Sequence, residues 1–331
     1  MSKQSGLALV MVLWILSLLT IMAGSFALNM RREASITADT KNNAQALAVA
    51  ESGIAMAEMM LLNPDQNKRW RSDGSIYEIN ADTTKVRVRV LSEAGKIDIN
   101  KADQVLLQAL LANVPEDENM KLKLVDTILD WRDDDDLVHS NGAEKKEYKD
   151  AGLSYPPRNK PFQSIEELQL VLGINEAIYL QLEPLITVYS GQPTVTLEQA
   201  AIEVLQIIPG LDTSLIDSYM AARLDSAINN LPLPPPPSST DQTTTVRQVV
   251  TPGQTNVLTL VSEAWLDNES SATITVTIKP FNPIAAHNNQ SLHSPFQVLK
   301  WQQLTTHNKS LFVEPMSELL VKQYAEPELN N

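Results

Sequence analysis

The chain contains no cysteine. That excludes disulfides, thiolate metal sites and a cysteine nucleophile, so nothing in it depends on a redox poise. It is also short of cations, with 26 Lys+Arg against 40 Asp+Glu and a formal net charge of −14 over 331 residues. Holding a phosphate backbone takes clustered cations that displace counterions, so this balance argues against nucleic-acid binding. Histidine is sparse: His139, His287, His293 and His307 are scattered among polar neighbours and read as solvated surface groups. There is no nucleophile–base pairing, no glycine-rich phosphate loop and no HExxH-type helix. Carboxylates are abundant, but without a recognisable apolar pocket they cannot be divided into acid and base. The chain reads as non-enzymatic.

Charge is wholly missing from Leu7 to Leu28, a 22-residue apolar run behind the short polar head MSKQSG. At about 1.5 Å per residue this run spans roughly 33 Å as a helix, enough to cross a bilayer core. Three readings compete for it. It can be a secretory signal cut near Ala23 to Ala27, a plain anchor, or a helix kept on the mature protein after a cut behind Gly6. Lys3 on one side and Arg31 and Arg32 on the other leave the orientation of a plain anchor open. The residues that follow favour the retained helix. From Asn29 to Leu62 there is no proline and one glycine, Gly53, and alanine is plentiful. Leu47, Ala50, Ile54, Ala57 and Leu61 recur at spacings of three and four, which marks an apolar stripe. Asn63-Pro64 ends the pattern. A continuous helix from Leu7 to Leu62 is expected, roughly 84 Å long.

Beyond it, Ile76 to Ser92 contains a period-2 strand with Val86, Val88 and Val90 on one face. Arg87 and Arg89 lie on the other face, which reads as solvated. From about Ile97 to Asn229 the texture turns helical, with helices expected at 103–112, 121–130, 164–172, 176–182, 197–207 and 214–229. A helix pair with a tight turn recurs in degenerate form. Two of its turns share a hydrophobic-Gly-hydrophobic theme, at Leu172-Gly173-Ile174 and Ile208-Pro209-Gly210-Leu211. Such turns resemble helix-hairpin-helix elements, which elsewhere hold DNA phosphates through backbone N–H groups. Here Asn175 and Asp212 stand where the DNA-binding form has its second glycine, and Glu166, Glu167, Glu176, Glu183, Glu198 and Glu203 surround the turns. The hairpins read as packing units.

The proline run LPLPPPP and a Ser/Thr tract then form a stiff spacer. Strand patterns resume at 246–250, 257–265, 272–280 and 296–301, and the tail from Glu314 is weakly patterned. Strands interrupted by about 130 helical residues fit an insertion into one sheet, because a loop accepts long insertions at modest entropic cost.

One stretch could carry chemistry. Residues 126–150 hold nine acidic residues against four basic ones, with Asp133 to Asp136 consecutive. Adjacent carboxylates repel, and a hard cation taking six to eight oxygens would relieve them. The spacing is not that of an EF-hand. A solvated acidic loop and a cation site both remain open on the residues alone.

The Gly6/Leu7 junction, the following LALVMVLWILSLL and Arg31-Arg32-Glu33 resemble type IV pilin-like proteins cut by a prepilin peptidase. The closer similarity is to the minor pseudopilin K family of bacterial type II secretion systems. Counting from Leu7, the fifth residue is Met11, where most of the superfamily has a glutamate; lacking it is a K-family trait suited to a subunit at the fibre tip. Asp130-Trp131, Asp133, Asp135, Asp136, Gly142-Ala143-Glu144 and Tyr148 resemble the K family's acidic signature. The resemblance implies structural calcium held by Asp133, Asp135, Asp136 and Glu144, with Asp130 and Asp134 as further ligands. It implies an α+β fold: a long N-terminal transmembrane helix, then a pilin-like antiparallel sheet interrupted by a large inserted helix-hairpin-helix or SAM-like domain. The expected boundaries are a leader at 1–6, membrane helix at 7–28, periplasmic helix at 29–62, and sheet segments at 63–96 and 246–313. The helical insertion takes 97–230, the linker 231–245 and the tail 314–331. Expected partners are minor pseudopilins I and J, other pseudopilins, the prepilin peptidase and the inner membrane, with the body in the periplasm and no nucleic acid. The expected role is in the tip complex that initiates and caps the pseudopilus for export across the outer membrane. The rival of a different class is a membrane-anchored helix-hairpin-helix protein of DNA binding or uptake.

Overall fold

The computed structural model describes residues 5–66, 68–81, 84–237, 257–267, 270–281, 295–304 and 320–322. Its first element is one unbroken helix, α1 (Ser5–Leu61), of 57 residues. Alanine-rich sequence without proline sustains it, and Asn63-Pro64 follows its end. The membrane-length part is exposed on all sides, Trp14 being 75% exposed. It is the one helix among the described residues long and apolar enough to cross a bilayer. The far half behaves differently: Ala46, Ala50, Ile54 and Ala57 are buried, with Leu47 and Leu61 partly so.

Those residues lie on a six-stranded sheet. Its strands are β1 (Asp73–Ala81), β2 (Thr84–Ser92), β5 (Leu258–Leu266), β6 (Ser271–Pro280), β7 (Phe296–Leu304) and β8 (Leu320–Lys322), in the order β7-β6-β5-β2-β1-β8. All neighbours are antiparallel except β1 and β8. α1 crosses β2, β5 and β6. Val86, Val88 and Val90 meet it from β2, and Ile274, Val276 and Ile278 from β6. Small residues let the helix sit low. A Cβ on Gly53 would come within 2.3 Å of Ser262 Oγ and 2.8 Å of Val86 Cγ1.

β2 and β5 are adjacent in the sheet, yet residues 93–257 separate them in sequence. In between come β3 (Ile97–Asp98), paired with β4 (Ile186–Thr187), and the helices α2 (Gln104–Leu111), α3 (Glu118–Arg132), α4 (Lys145–Asp150), α5 (Glu176–Leu182), α6 (Ile202–Leu205) and α7 (Thr213–Ile228). They enclose a second core around Leu107, Leu111, Leu124, Ile128, Tyr148 and Leu182. Gly173 and Gly210 have φ of 96° and 81°, a left-handed backbone that suits glycine at the two turns.

Buried polar residues fasten this block to the sheet. From α7, Arg223 donates to Ala200 O at 2.6 Å and to Asp73 O, and pairs with the Asp73 carboxylate at 3.4 Å. Arg71 donates to the Ser226 carbonyl at 2.9 Å. The Glu93 carboxylate receives Lys96 Nζ and Thr259 Oγ1, both at 2.7 Å, and the Thr187 hydroxyl. Arg89 is buried, bound to Gly74 O at 3.1 Å and to Glu203 at 3.1 Å. Arg87 reaches Glu78 at 2.9 Å.

Several expectations change. The arginine face of β2 is not simply solvated: Arg89 is buried and bound to Glu203 of the helical block, while Arg87 stays partly exposed and pairs with Glu78. Residues 73–92 form a hairpin of two strands where one was expected; no glycine or proline stands between Ala81 and Thr84 to mark the turn in the sequence. The helix expected at 164–172 is a 3-10 helix over Ile165–Leu170. The one at 197–207 is a 3-10 turn followed by the four-residue α6. In the tail, 320–322 forms β8. The strand expected at 246–250 lies outside the described residues.

Gly53→Ala should lower the denaturation midpoint of the detergent-solubilised protein. Helix propensity alone would favour alanine by about 1 kcal/mol. Overpacking against Val86 and Ser262 should outweigh that gain at about 1–3 kcal/mol. A raised midpoint would mean that α1 does not lie this close to the sheet.

Candidate cation site at the end of helix α3

α3 begins on an Asp117 cap, whose side chain accepts from Met120 N at 2.9 Å, and runs to Arg132. Leu124, Ile128 and Trp131 turn into the core, while Asp126 and Asp130, one turn apart on another face of the helix, are buried as well. Below them Trp131 stacks on Phe162 with centroids 6.0 Å apart, and Tyr148 lies 6.2 Å from Trp131. Arg132 closes the helix onto the start of the block, donating to Ile99 O at 2.5 Å and Ala102 O at 2.6 Å.

The acidic loop then folds back over the helix end. Asp126 accepts Asn141 N at 2.9 Å and Asn141 Nδ2 at 3.1 Å. Asp130 Oδ1 accepts His139 N at 3.1 Å and meets the His139 ring at Nδ1. Asn159 Nδ2 donates to Asp135 O at 2.6 Å and Asp136 Oδ1 at 3.0 Å. Asp135 Oδ1 accepts Leu137 N at 2.8 Å. Glu144 caps α4, its N–H donating to Glu147 at 3.0 Å. A Cβ on Gly142 would lie 1.9 Å from Asp130 Oδ2, so only glycine lets this strand of loop pass the buried carboxylate.

Polar atoms are left over in the middle. Asp130 is 0% exposed and Glu144 4% exposed. Asp130 Oδ2, Asp133 Oδ1 and both Glu144 carboxylate oxygens are buried without a hydrogen-bond partner. Burial first, then the charges of Asp130, Asp133 and Asp136, push the Glu144 carboxyl up to about 7. The Asn159 amide opposes that shift without reaching hydrogen-bond geometry. Burial and the Asp135 and Asp130 charges raise Asp133 too, and the contact with Asp130 raises His139. Unpaired buried carboxylates are costly, and that cost is offset by protonation, by ion pairing or by a bound cation. The donor set therefore fits a divalent ion.

Of the residues expected as ligands, Asp130, Asp133, Asp136 and Glu144 come together around the loop, and Asp136 is exposed like Asp134 and Asp135. The expectation of a solvated His139 is corrected: its ring is 43% exposed but engages Asp130, with Asp133 at 4.0 Å. The other three histidines lie outside the described residues. Asp126 was not singled out either; its i,i+4 relation to Asp130 was the available signal.

A family model described as type II secretion system protein K matches residues 84–191, which include the whole site. Proteins called type II secretion system protein K from Klebsiella pneumoniae and Aeromonas hydrophila are 27% and 28% identical to this chain over 203 and 211 residues. Each alignment takes in 55% of this chain and 62% of the relative, so the chain spans less than two thirds of the curated relatives' length. A chain of the crystal structure of the GspK-GspI-GspJ complex from enterotoxigenic Escherichia coli is 15% identical, with a TM-score of 0.47 over 84% of this chain and 100% of that one. Over residues 84–191, which carry the acidic loop, the chain is similar to the type II secretion system protein K family.

Proposed function

We propose that this protein is a minor pseudopilin that joins the I and J minor pseudopilins in the complex at the tip of the pseudopilus. The observation that carries the reading is α1: the bilayer-length segment and the helix laid on the sheet are one unbroken element. A prepilin peptidase cutting between Gly6 and Leu7 leaves that element whole on the mature chain. The helix then anchors the protein in the inner membrane, with the body in the periplasm. Met11 spares it a carboxylate buried in lipid, which needs a neighbouring subunit's amino terminus as partner. An end subunit has no such need on its free side. Residues 97–230 act as a helix-hairpin-helix insertion. The positive φ at Gly173 and Gly210 supports the hairpins, and the −14 charge speaks against DNA as their ligand.

The acidic loop holds calcium in a structural role. Asp130, Asp133 and Glu144 are the ligands best supported by buried, orphaned oxygens, with the exposed Asp136 close enough to raise Glu144 and the exposed Asp134 and Asp135 as further members of the set. Calcium supplies positive charge that lets these carboxylates stay ionised while the loop packs against α3.

A pH series tests the loop. In metal-stripped protein, folded Glu144 keeps its proton up to about 7, whereas the unfolded chain releases it near 4.5. Stability from this group is therefore present at low pH and lost as pH rises from 4.5 through about 7. The melting temperature should fall across that window, and His139, also raised, adds to the fall at its upper end. Calcium should reverse the loss at pH 7.5, and Glu144→Gln should flatten the profile and weaken the calcium response. Calcium that leaves melting unchanged would remove the ligand assignment.

The processing claim is tested by intact-mass measurement of the membrane-bound form, which should begin at Leu7. A start near Phe26 or Leu28 would mean ordinary signal cleavage and no pilin-type helix.

A further inference from the structure

Asp130 presents its two oxygens to different surroundings. Oδ2 is buried and unpartnered beside Gly142. Oδ1 faces His139, whose Nδ1 also lies 4.0 Å from Asp133 Oδ2. One donor atom from each of Asp130, Asp133 and His139 falls within 4.8 Å of the other two. We propose that His139 is a metal ligand through Nδ1, and that Asp130, Asp133 and His139 bind a first-row transition cation of the Zn2+ or Co2+ kind in competition with calcium. This rests on reading the loop as a cation site and adds a nitrogen donor to it.

The chemistry separates the two classes of ion. Calcium and magnesium are hard and take oxygen ligands. Imidazole suits zinc, cobalt and nickel, and two carboxylates with one imidazole complete a mixed set that these ions accept. Two features set this group apart from a plain acidic cluster. Asp130 is fully buried with Oδ2 lacking any partner, and Asp133 Oδ1 is likewise buried and unpartnered. The backbone also fixes the histidine in place: His139 N–H is held by Asp130, and Asn141 by Asp126 one turn earlier on the same helix. The ring is still 43% exposed, which leaves an open side for the ion to enter and for water to fill the remaining positions.

The test uses the full chain in detergent, without a histidine tag, stripped of metal and titrated with Co2+ while visible absorption is followed. Calcium is titrated in parallel by melting temperature. Cobalt should give ligand-field bands that Zn2+ abolishes. His139→Ala and the milder His139→Asn should weaken cobalt binding about tenfold or more and keep the calcium shift. Replacing His287, His293 and His307 together by alanine should leave the bands intact. Cobalt affinity unchanged by either His139 variant would overturn the proposal, as would bands lost only in the triple variant. If both His139 variants lose the calcium shift along with the bands, His139 positions Asp130 and is not a ligand. Calcium stabilisation with no cobalt binding would sink the nitrogen-donor inference alone, whereas no response to either ion would sink the cation site with it.

Discussion

The close seat of α1 on the sheet is the contact on which the rest of the structure depends. Ala46, Ala50, Gly53 and Ala57 bring no more than a methyl group each to its buried side, with Ile54 the large residue among them. Backbone can therefore approach the valine face of β2 and the Ile274–Ile278 face of β6 at distances that larger residues forbid. The same helix continues without a break into a segment that only lipid or other protein can cover. The bilayer-length segment and the helix packed on the globular core are thus one unbroken element.

On the opposite face of the sheet the fold turns to polar fastening. Arg223, Arg89 and Glu93 sit where the helical block leaves and rejoins the strands, each buried and each bound to partners far away in sequence. Such contacts add little net stability over an apolar equivalent, but losing one partner strands a buried charge at about 3–5 kcal/mol. They specify how the block sits more than they hold it on. Its own hydrophobic core supplies the cohesion, and the acidic loop is where that core is least self-sufficient, because one oxygen of Asp130 and both of Glu144 are buried there without a hydrogen-bond partner.

How much was legible in advance followed from how local each signal was. α1 could be read almost to the residue, since alanine content, missing proline and the 3/4 stripe all act within the helix. The return to strands after the helical block was equally visible in the Val/Ile/Thr alternation of β6. What failed depended on distant partners. Arg89 looked solvated because Glu203, which binds it, lies 114 residues away. β1 ran into β2 for want of a glycine or proline between them, and their pairing shows only across the hairpin, where Arg87 and Lys85 meet Glu78. At the site, Asp133 and Glu144 stood out by family resemblance and charge density. His139, flanked by valine and serine, carried no local signal; only the fold of the loop over Asp130 brings it in.

Assembly with its neighbours is the central claim, and co-purification addresses it most directly. The full chain would be co-expressed with the I and J pseudopilins of the same genome and recovered from detergent-solubilised inner membrane by a tag on J. Recovery of all three in fixed proportion through size exclusion is the predicted result. If the protein separates from I and J while those two stay together, it is not a subunit of the tip complex.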